Sequence, residues 1–229
     1  MNEKIIVLRT FKWSEADLMV HGLNARGARL SFIARGAMRS KKRFSGGILE
    51  PTHYIMAHYK PGYSRNDEAP LHQLQEAQLI KGFDGLREVY ERLEAALFMV
   101  GLMDKVAQPG VEDSPELFDL LGNGLFAAES STHLEILRLQ FEVKLLYLQG
   151  VLPSQGWYSD LLSRALKDHA EIVIPRDAAS KTKSATSFNA SYKAWPPNTT
   201  TTASTSSLMA EWNDFGAAHV GLVGGDLYD

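Results

Sequence analysis

Residues 34–51 read ARGAMRSKKRFSGGILEP. Arg35, Arg39, Lys41, Lys42 and Arg43 fall within nine residues with no acid among them. Phe44 follows, then the Gly46-Gly47 pair, and Glu50-Pro51 closes the stretch. An apolar-rich run (Leu30, Phe32, Ile33, Ala34) precedes it and another, Tyr54 to Tyr59, comes after. The cluster therefore reads as a basic loop held between two strands, not as a helix face. Five anchored cations beside an aromatic form a grip for a polyanion. The phosphate backbone of nucleic acid leads the candidates, because each cation docked on a phosphate releases condensed counterions. An isolated Lys-Lys-Arg fits a solvated surface loop or a localisation-type basic run as well as it fits such a grip; the order of the residues and their flanks favour the grip.

Outward from this loop, the first eighty residues read as short strands. Five candidates are Ile5 to Arg9, Leu18 to Leu23, Arg29 to Ala34, Thr52 to Tyr59 and Leu71 to Ile80, with breaks at Ser14–Asp17, Asn24–Gly27, Gly36–Gly47 and Pro61–Pro70. Five short strands in under ninety residues fit a small closed barrel, of which the OB-fold is the commonest that grips oligonucleotides. Past Gly82 the period changes. Leu86, Tyr90, Leu93, Leu97 and Val100 step by four, three, four and three, one face of a helix. Ser114-Pro115-Glu116 is a helix start, and Thr132-His133-Leu134-Glu135 fits a capping box. From Ile136 to Leu148 the next helix is apolar nearly all round and is expected at the centre of a bundle. A last helix is expected from Trp157 to about Val173, with Leu161, Leu162, Ala165 and Leu166 inward.

Residues 176–210 hold fourteen Ser/Thr and the Pro196-Pro197 pair, too little apolar surface to offset ordering entropy. The expected class is α+β, with an OB-fold barrel over 1–82, an all-α domain over 83–175 and a disordered C-terminal tail over 176–229. The tail regains Trp212, Phe215, Leu222 and Tyr228 beside acids near its end, which reads as a frayed end or a docking peptide.

The net charge of −3 hides an asymmetry. Residues 1–65 carry 12 Lys/Arg against 4 Asp/Glu, residues 66–175 carry 8 against 18, and residues 176–229 carry 4 against 5. The first part attracts a polyanion; the second repels one or meets a basic partner. The chain has no cysteine, which removes disulfides and cysteine-ligated zinc. MNEKIIVLRT lacks the apolar core of a signal peptide, and no window reaches the roughly 18 apolar residues of a spanning helix, so a cytoplasmic location is expected.

Other constellations weigh less. His21, His53, His58 and His72 lie on neighbouring strand candidates, but positions 53 and 58 face opposite sides of a regular strand and no His-x-His or His-Glu-x-x-His spacing occurs. Gly-x-Ser-x-Gly and P-loop patterns are missing, and nothing in the sequence asks for an enzyme or a cofactor. Glu15 and Asp17 read as turn formers. Aromatics interleave with the cations: Phe32 reads as core, whereas Trp13 and Phe44, in loops, are candidates for base stacking.

The chain resembles the RecO recombination mediators of bacterial DNA repair. IIVLRTFKWSEADLMV resembles the family's opening strand, turn and second strand. ARGAMRSKKRFSGGILEP resembles its basic block, LHQLQEAQLIKGFDGLREVYERL its last barrel strand and first helix, and PELFDLL the next helix start. The resemblance implies an OB-fold followed by a helical domain and no catalytic centre. It further implies binding of single- and double-stranded DNA, annealing of strands coated by single-strand-binding protein, and, with RecR, help in exchanging that coat for RecA, at the nucleoid during repair. Carried over by position, Arg35 and Arg39 match basic residues of the block and are the first DNA contacts, with Lys41, Lys42 and Arg43 as further phosphate contacts. Many relatives carry a four-cysteine zinc module after about Gly150; here LQGVLPSQGWYSDLL has none. Arg138 and Lys144 are candidates for the rim of a groove that takes the acidic, apolar-tipped tail of single-strand-binding protein. An OB-fold RNA-binding protein or a generic single-strand-binding accessory is the alternative, and a histidine-based metal hydrolase or a scaffold for an acidic protein segment are further ones.

Overall fold

Ile5, Ile6, Val7 and Leu8 are all buried, which an alternating strand achieves only when both of its faces are covered. In the computed structural model, which describes residues 1–40, 42–63, 69–110, 114–153, 156 and 158–172, this double burial ties two parts of the molecule together. Ile5 and Val7 point into a barrel; Ile6 and Leu8 join the core of a helical layer.

The barrel consists of β1 (Asn2–Lys12), β2 (Leu18–Asn24), β3 (Arg29–Ala34), β4 (Tyr54–Lys60) and β5 (Leu71–Lys81). It closes in the order β1-β2-β3-β5-β4, with β3 and β5 parallel and every other pair antiparallel. This is the OB-fold expected from the five strand signals. Alternation sets its interior: Leu30, Phe32 and Ala34 from β3, Ile55, Ala57 and Tyr59 from β4, and Leu74 and Ala77 from β5. Register breaks at Val7/Arg9 and in β4 supply the bends that closure needs.

The connection from β3 to β4 is not a loose excursion. Ala37, Phe44, Ile48 and Leu49 all enter the barrel core from this segment. Thr10 Oγ1 donates to the Leu49 carbonyl (2.6 Å) and Ala77 N–H donates to the Arg43 carbonyl (3.2 Å), fastening the segment to β1 and β5.

The helical layer contains α1 (Tyr90–Val106), α2 (Pro115–Ala128), α3 (Leu134–Leu148) and the short α4 (Ser159–Ser163), followed by a 3-10 segment at Leu166–Glu171. α2 begins at Pro115 with Glu116 in its first turn, as the sequence indicates. Its Gly124 allows close packing: a Cβ there would come within 2.9 Å of Met99 Sδ and 3.1 Å of the Phe141 ring. Leu86, Met99, Met103, Leu121, Leu125, Leu137 and Phe141 fill the core with Ile6, Leu8 and Leu23 from the barrel. Arg29 Nη1 donates to the Asp104 carbonyl (2.8 Å), and Asp104 Oδ1 lies 3.1 Å from His21 Nδ1, so β2, β3 and α1 share a polar joint. Burial pushes the Asp104 carboxyl up, but the His21 hydrogen bond and the charges of His21, Arg29 and Arg9 outweigh it and hold the carboxyl below its ordinary value.

Four expectations are corrected. The buried face of α1 is Ala95, Ala96, Phe98, Met99, Val100, Leu102 and Met103, while Tyr90 and Leu97 are exposed. α3 is not buried all round: Tyr147 and Leu148 are exposed, and the fully buried Gln140 donates to the carbonyls of Leu161 and Arg164. The expected last helix is two short pieces broken at Arg164–Ala165, with Ala165 exposed; Trp157 and Val173 lie outside the described residues. The Thr132 capping box does not form. His133 is the N-cap residue, and Ser131 Oγ accepts its N–H (3.0 Å). His169 Nδ1–H donates to the Leu166 carbonyl (2.7 Å), so its Nε2 accepts from the Ser131 hydroxyl (2.6 Å). The tail over 176–229 also lies outside the described residues.

Candidate nucleic-acid interface

The basic segment leaves β3 through Gly36, whose φ of 67° is open to glycine and strained for other residues. Two hydrogen bonds fix the exit to the β1–β2 turn: Gly36 N–H donates to Asp17 Oδ1 (2.8 Å) and Met38 N–H donates to the Ala16 carbonyl (3.1 Å). Asp17 thus acts as the turn former that the sequence suggests, and its reach extends to the basic loop. Trp13 N–H donates to the Asp17 carbonyl (3.0 Å), so one residue holds both loops.

Arg35, Arg39, Lys42 and Arg43 are all exposed; Lys41 lies outside the described residues. They are not equivalent. Arg43 Nη2 donates to the Arg35 carbonyl (3.0 Å), its guanidinium lies 5.4 Å from the Phe44 ring centroid, and its own N–H donates to Ser40 Oγ (3.2 Å). Arg43 is therefore a brace of the loop as well as a charge. Among the described residues the Arg39 guanidinium meets only Glu15, at 3.9 Å, with the two side chains 74% and 94% exposed, a pair that contributes almost nothing to stability and leaves the guanidinium open to a phosphate.

Phe44 is corrected: at 4% exposure it belongs to the barrel core and presents no face to a base. The hydrophobic demand of the open barrel end, which the loop must plug, outweighs loop position. Phe32 is core, as expected, and Trp13 is 59% exposed. Arg138 and Lys144 both make contacts within the helical layer. The Arg138 guanidinium sits 4.1 Å from the Phe98 ring centroid, and Lys144 Nζ donates to the Leu162 carbonyl, tying α3 to α4. Burial lowers the Lys144 ammonium from its ordinary value.

Sequence reasoning missed a different recess. A cavity of about 230 Å³ lies between the α2–α3 turn and the 3-10 segment, lined by Phe126, Ser131, Thr132, His133, Lys167 and His169. Phe126 is 61% exposed, and Lys81 Nζ stands 5.5 Å from its ring centroid. Its lining residues lie some forty positions apart and form no motif, so the sequence carries no signal for it.

The four histidines take separate partners. His21 meets Asp104, His53 Nδ1 faces the Ile48 carbonyl (3.2 Å), His58 Nδ1 faces Asn2 Oδ1 (2.8 Å) and His72 Nδ1 accepts the Gly62 N–H (3.1 Å). Among the described residues, no three His, Cys, Asp or Glu side chains gather in a way that could hold a metal ion.

Comparison with known proteins agrees with this architecture. Residues 1–83 match the family model Recombination protein O N terminal, and residues 87–156 match Recombination protein O C terminal. The chain is 32% identical over 154 residues to the DNA repair protein RecO of Maridesulfovibrio salexigens, covering 67% of this chain and 60% of that one. It is 33% identical over 150 residues to DNA repair protein RecO of Syntrophus aciditrophicus, covering 65% and 55%, and 28% identical over 148 residues to that of Exiguobacterium sibiricum, covering 65% and 56%. The chain spans between 55% and 60% of the length of these relatives. Matched through both its barrel and its helical layer, the chain belongs to the RecO family.

Proposed function

We propose that this protein is a DNA-repair and recombination mediator whose barrel binds DNA through Arg35, Arg39 and Lys42, with Lys41 and Arg43 adding charge in the same loop. It binds single and double strands, anneals complementary strands coated by single-strand-binding protein and, with RecR, helps exchange that coat for RecA, in the cytoplasm and on the nucleoid. The observation that carries this reading is the anchoring of the cations. Arg35, Arg39, Lys42 and Arg43 project from a segment whose apolar residues plug the barrel, so little backbone entropy is lost when they meet a phosphate backbone. The role is one of binding and exchange without a catalytic centre or cofactor. Among the described residues no helix is long and apolar enough to cross a membrane.

The acidic, apolar-tipped tail of single-strand-binding protein needs an apolar recess with cations at its rim. Arg138 and Lys144 of α3, the first over the Phe98 ring and the second on the Leu162 carbonyl, are the candidate rim cations.

The test is annealing of two labelled complementary oligonucleotides coated with single-strand-binding protein, run beside naked strands at two salt concentrations. Acceleration on coated strands that disappears in Arg35→Glu/Arg39→Glu at unchanged melting temperature is the expected result. Acceleration on naked strands alone would leave a generic DNA binder and remove the coat-protein contact. Tighter binding to structured RNA than to DNA would overturn the reading in favour of an RNA-binding OB-fold protein.

A further inference from the structure

With Phe44 inside the barrel, the base-reading part of the interface must come from elsewhere, and two exposed apolar groups stand beside the cations. Trp13 is 59% exposed at the β1–β2 turn and Met38 is 54% exposed within the basic loop. Among the described residues the Trp13 indole has no hydrogen-bond or ring partner, although an indole gains more than most side chains from being covered. Its backbone, by contrast, is held. Trp13 N–H donates to the Asp17 carbonyl at 3.0 Å, and the Asp17 carboxylate accepts the Gly36 N–H at 2.8 Å. Met38 N–H is bonded to Ala16 of the same turn, and Arg39 reaches Glu15. Trp13, Met38, Arg35 and Arg39 therefore belong to one fastened platform built from two loops.

We propose that Trp13 is a base-stacking residue that makes single-stranded DNA the preferred substrate of this interface. The inference rests on the DNA-binding reading above and deepens it. In a duplex the faces of the bases are already stacked on one another, so an indole reaches them only by unstacking a step. In a single strand the faces are free, and every base offers one, so stacking adds affinity without sequence preference. The cations serve both forms of DNA alike, because both present phosphates. Preference thus divides between two sets of residues: Arg35, Arg39 and Lys42 hold any backbone, and Trp13 rewards an unpaired one. Glu15, 94% exposed beside Arg39, gives way to a phosphate without loss to the fold.

The experiment measures binding of the full chain to three probes of about twenty nucleotides, a length that exceeds one OB-fold site: oligothymidylate, an abasic strand of the same length, and a duplex. Trp13→Ala is expected to weaken oligothymidylate binding by about 5- to 150-fold, the range that one base stack supplies. Abasic and duplex binding should stay unchanged, and Trp13→Phe should restore most of the loss. A melting curve of each variant confirms that the exposed position leaves the fold intact. Equal loss on all three probes, or none on any, overturns the stacking role while leaving phosphate binding standing. Failure of the wild-type chain to bind any of the three would overturn the DNA-binding reading itself, and this inference with it.

Discussion

Arg39 and Arg43 sit four positions apart in one basic loop, carry the same charge, and should respond to substitution in opposite ways. Replacing Arg43 by Gln removes the donor to the Arg35 carbonyl and the guanidinium beside the Phe44 ring. The exposed charged hydrogen bond contributes about 1 kcal/mol and the cation–π contact about 0.5 kcal/mol. A loss of about 1.5 kcal/mol lowers the melting temperature by roughly 3–6 °C in a domain of this size. Replacing Arg39 by Gln removes only a 3.9 Å contact to an almost fully exposed Glu15 and should leave melting unchanged. The order reverses in DNA binding. Arg39 is held only by the exposed Glu15 among the described residues, so Arg39→Gln should reduce the slope of log affinity against log salt by about 0.7 for a single strand and 0.9 for a duplex, one phosphate contact each. Arg43→Gln should weaken binding with a smaller change of slope, because its guanidinium is partly spent on the protein. The assays are thermal melting and fluorescence anisotropy of a labelled oligonucleotide across a salt series. Equal melting losses for the two variants, or a larger slope change for Arg43→Gln, would refute the division of roles.

Substitutions at two further positions probe the packing of the chain. Burial raises the Glu142 carboxyl from an ordinary 4.5 to about 7, partly offset by Arg138, so the folded state favours the neutral acid. Stability from this group is fully present below its unfolded value and is lost as pH rises through about 7; Glu142→Gln should therefore stabilise the chain by about 1–2 kcal/mol at pH 8, discounted because the residue is only half-buried, and hardly at all at pH 4. A pH-independent difference in denaturant unfolding would remove the explanation. Phe44→Ala should cost about 3–5 kcal/mol by opening the barrel end, whereas Phe44→Leu should cost less than about 1.5 kcal/mol and keep DNA affinity. Loss of single-strand affinity in Phe44→Leu at unchanged melting would show that the ring stacks on bases after all.

The barrel was legible because alternation writes itself plainly: Leu30, Phe32 and Ala34 are apolar at every second position and all three are buried. The helices were legible as helices but less so in their faces. Leu86, Tyr90, Leu93, Leu97 and Val100 make the more conspicuous stripe, but Leu86 precedes α1 and of the other four only Val100 is buried; α1 turns Ala95, Ala96, Met99 and Met103 inward, where small and flexible side chains let α2 approach. Hydrophobicity alone ranks leucine and tyrosine above alanine and so misplaces Tyr90 and Leu97, which are exposed. The helix start after Ala128 was found one residue off, since Ser131 and Thr132 are both able to cap and only His169, 38 positions away, distinguishes them. Arg138 and Lys144 were legible as charges. Their engagement with Phe98 and with the Leu162 carbonyl depends on neighbours that no local pattern reveals.

The same distant dependence distinguishes the basic loop from a mobile arm. Along 35–49 the buried Ala37, Phe44, Ile48 and Leu49 alternate with exposed Arg35, Arg39, Lys42 and Arg43 without a strand's or a helix's period. A segment of this composition outside a barrel would carry its cations on a mobile chain, and each phosphate contact would have to offset the ordering of several residues at about 1–2 kcal/mol apiece. Here that ordering is supplied by folding, through four apolar anchors and the hydrogen bonds to Thr10, Asp17 and Ala77. On the proposed function, binding strength at this loop is therefore linked to closure of the barrel end. A substitution that loosens the plug, even one that leaves every cation in place, must lower DNA affinity in proportion to the fraction of molecules in which the loop is released.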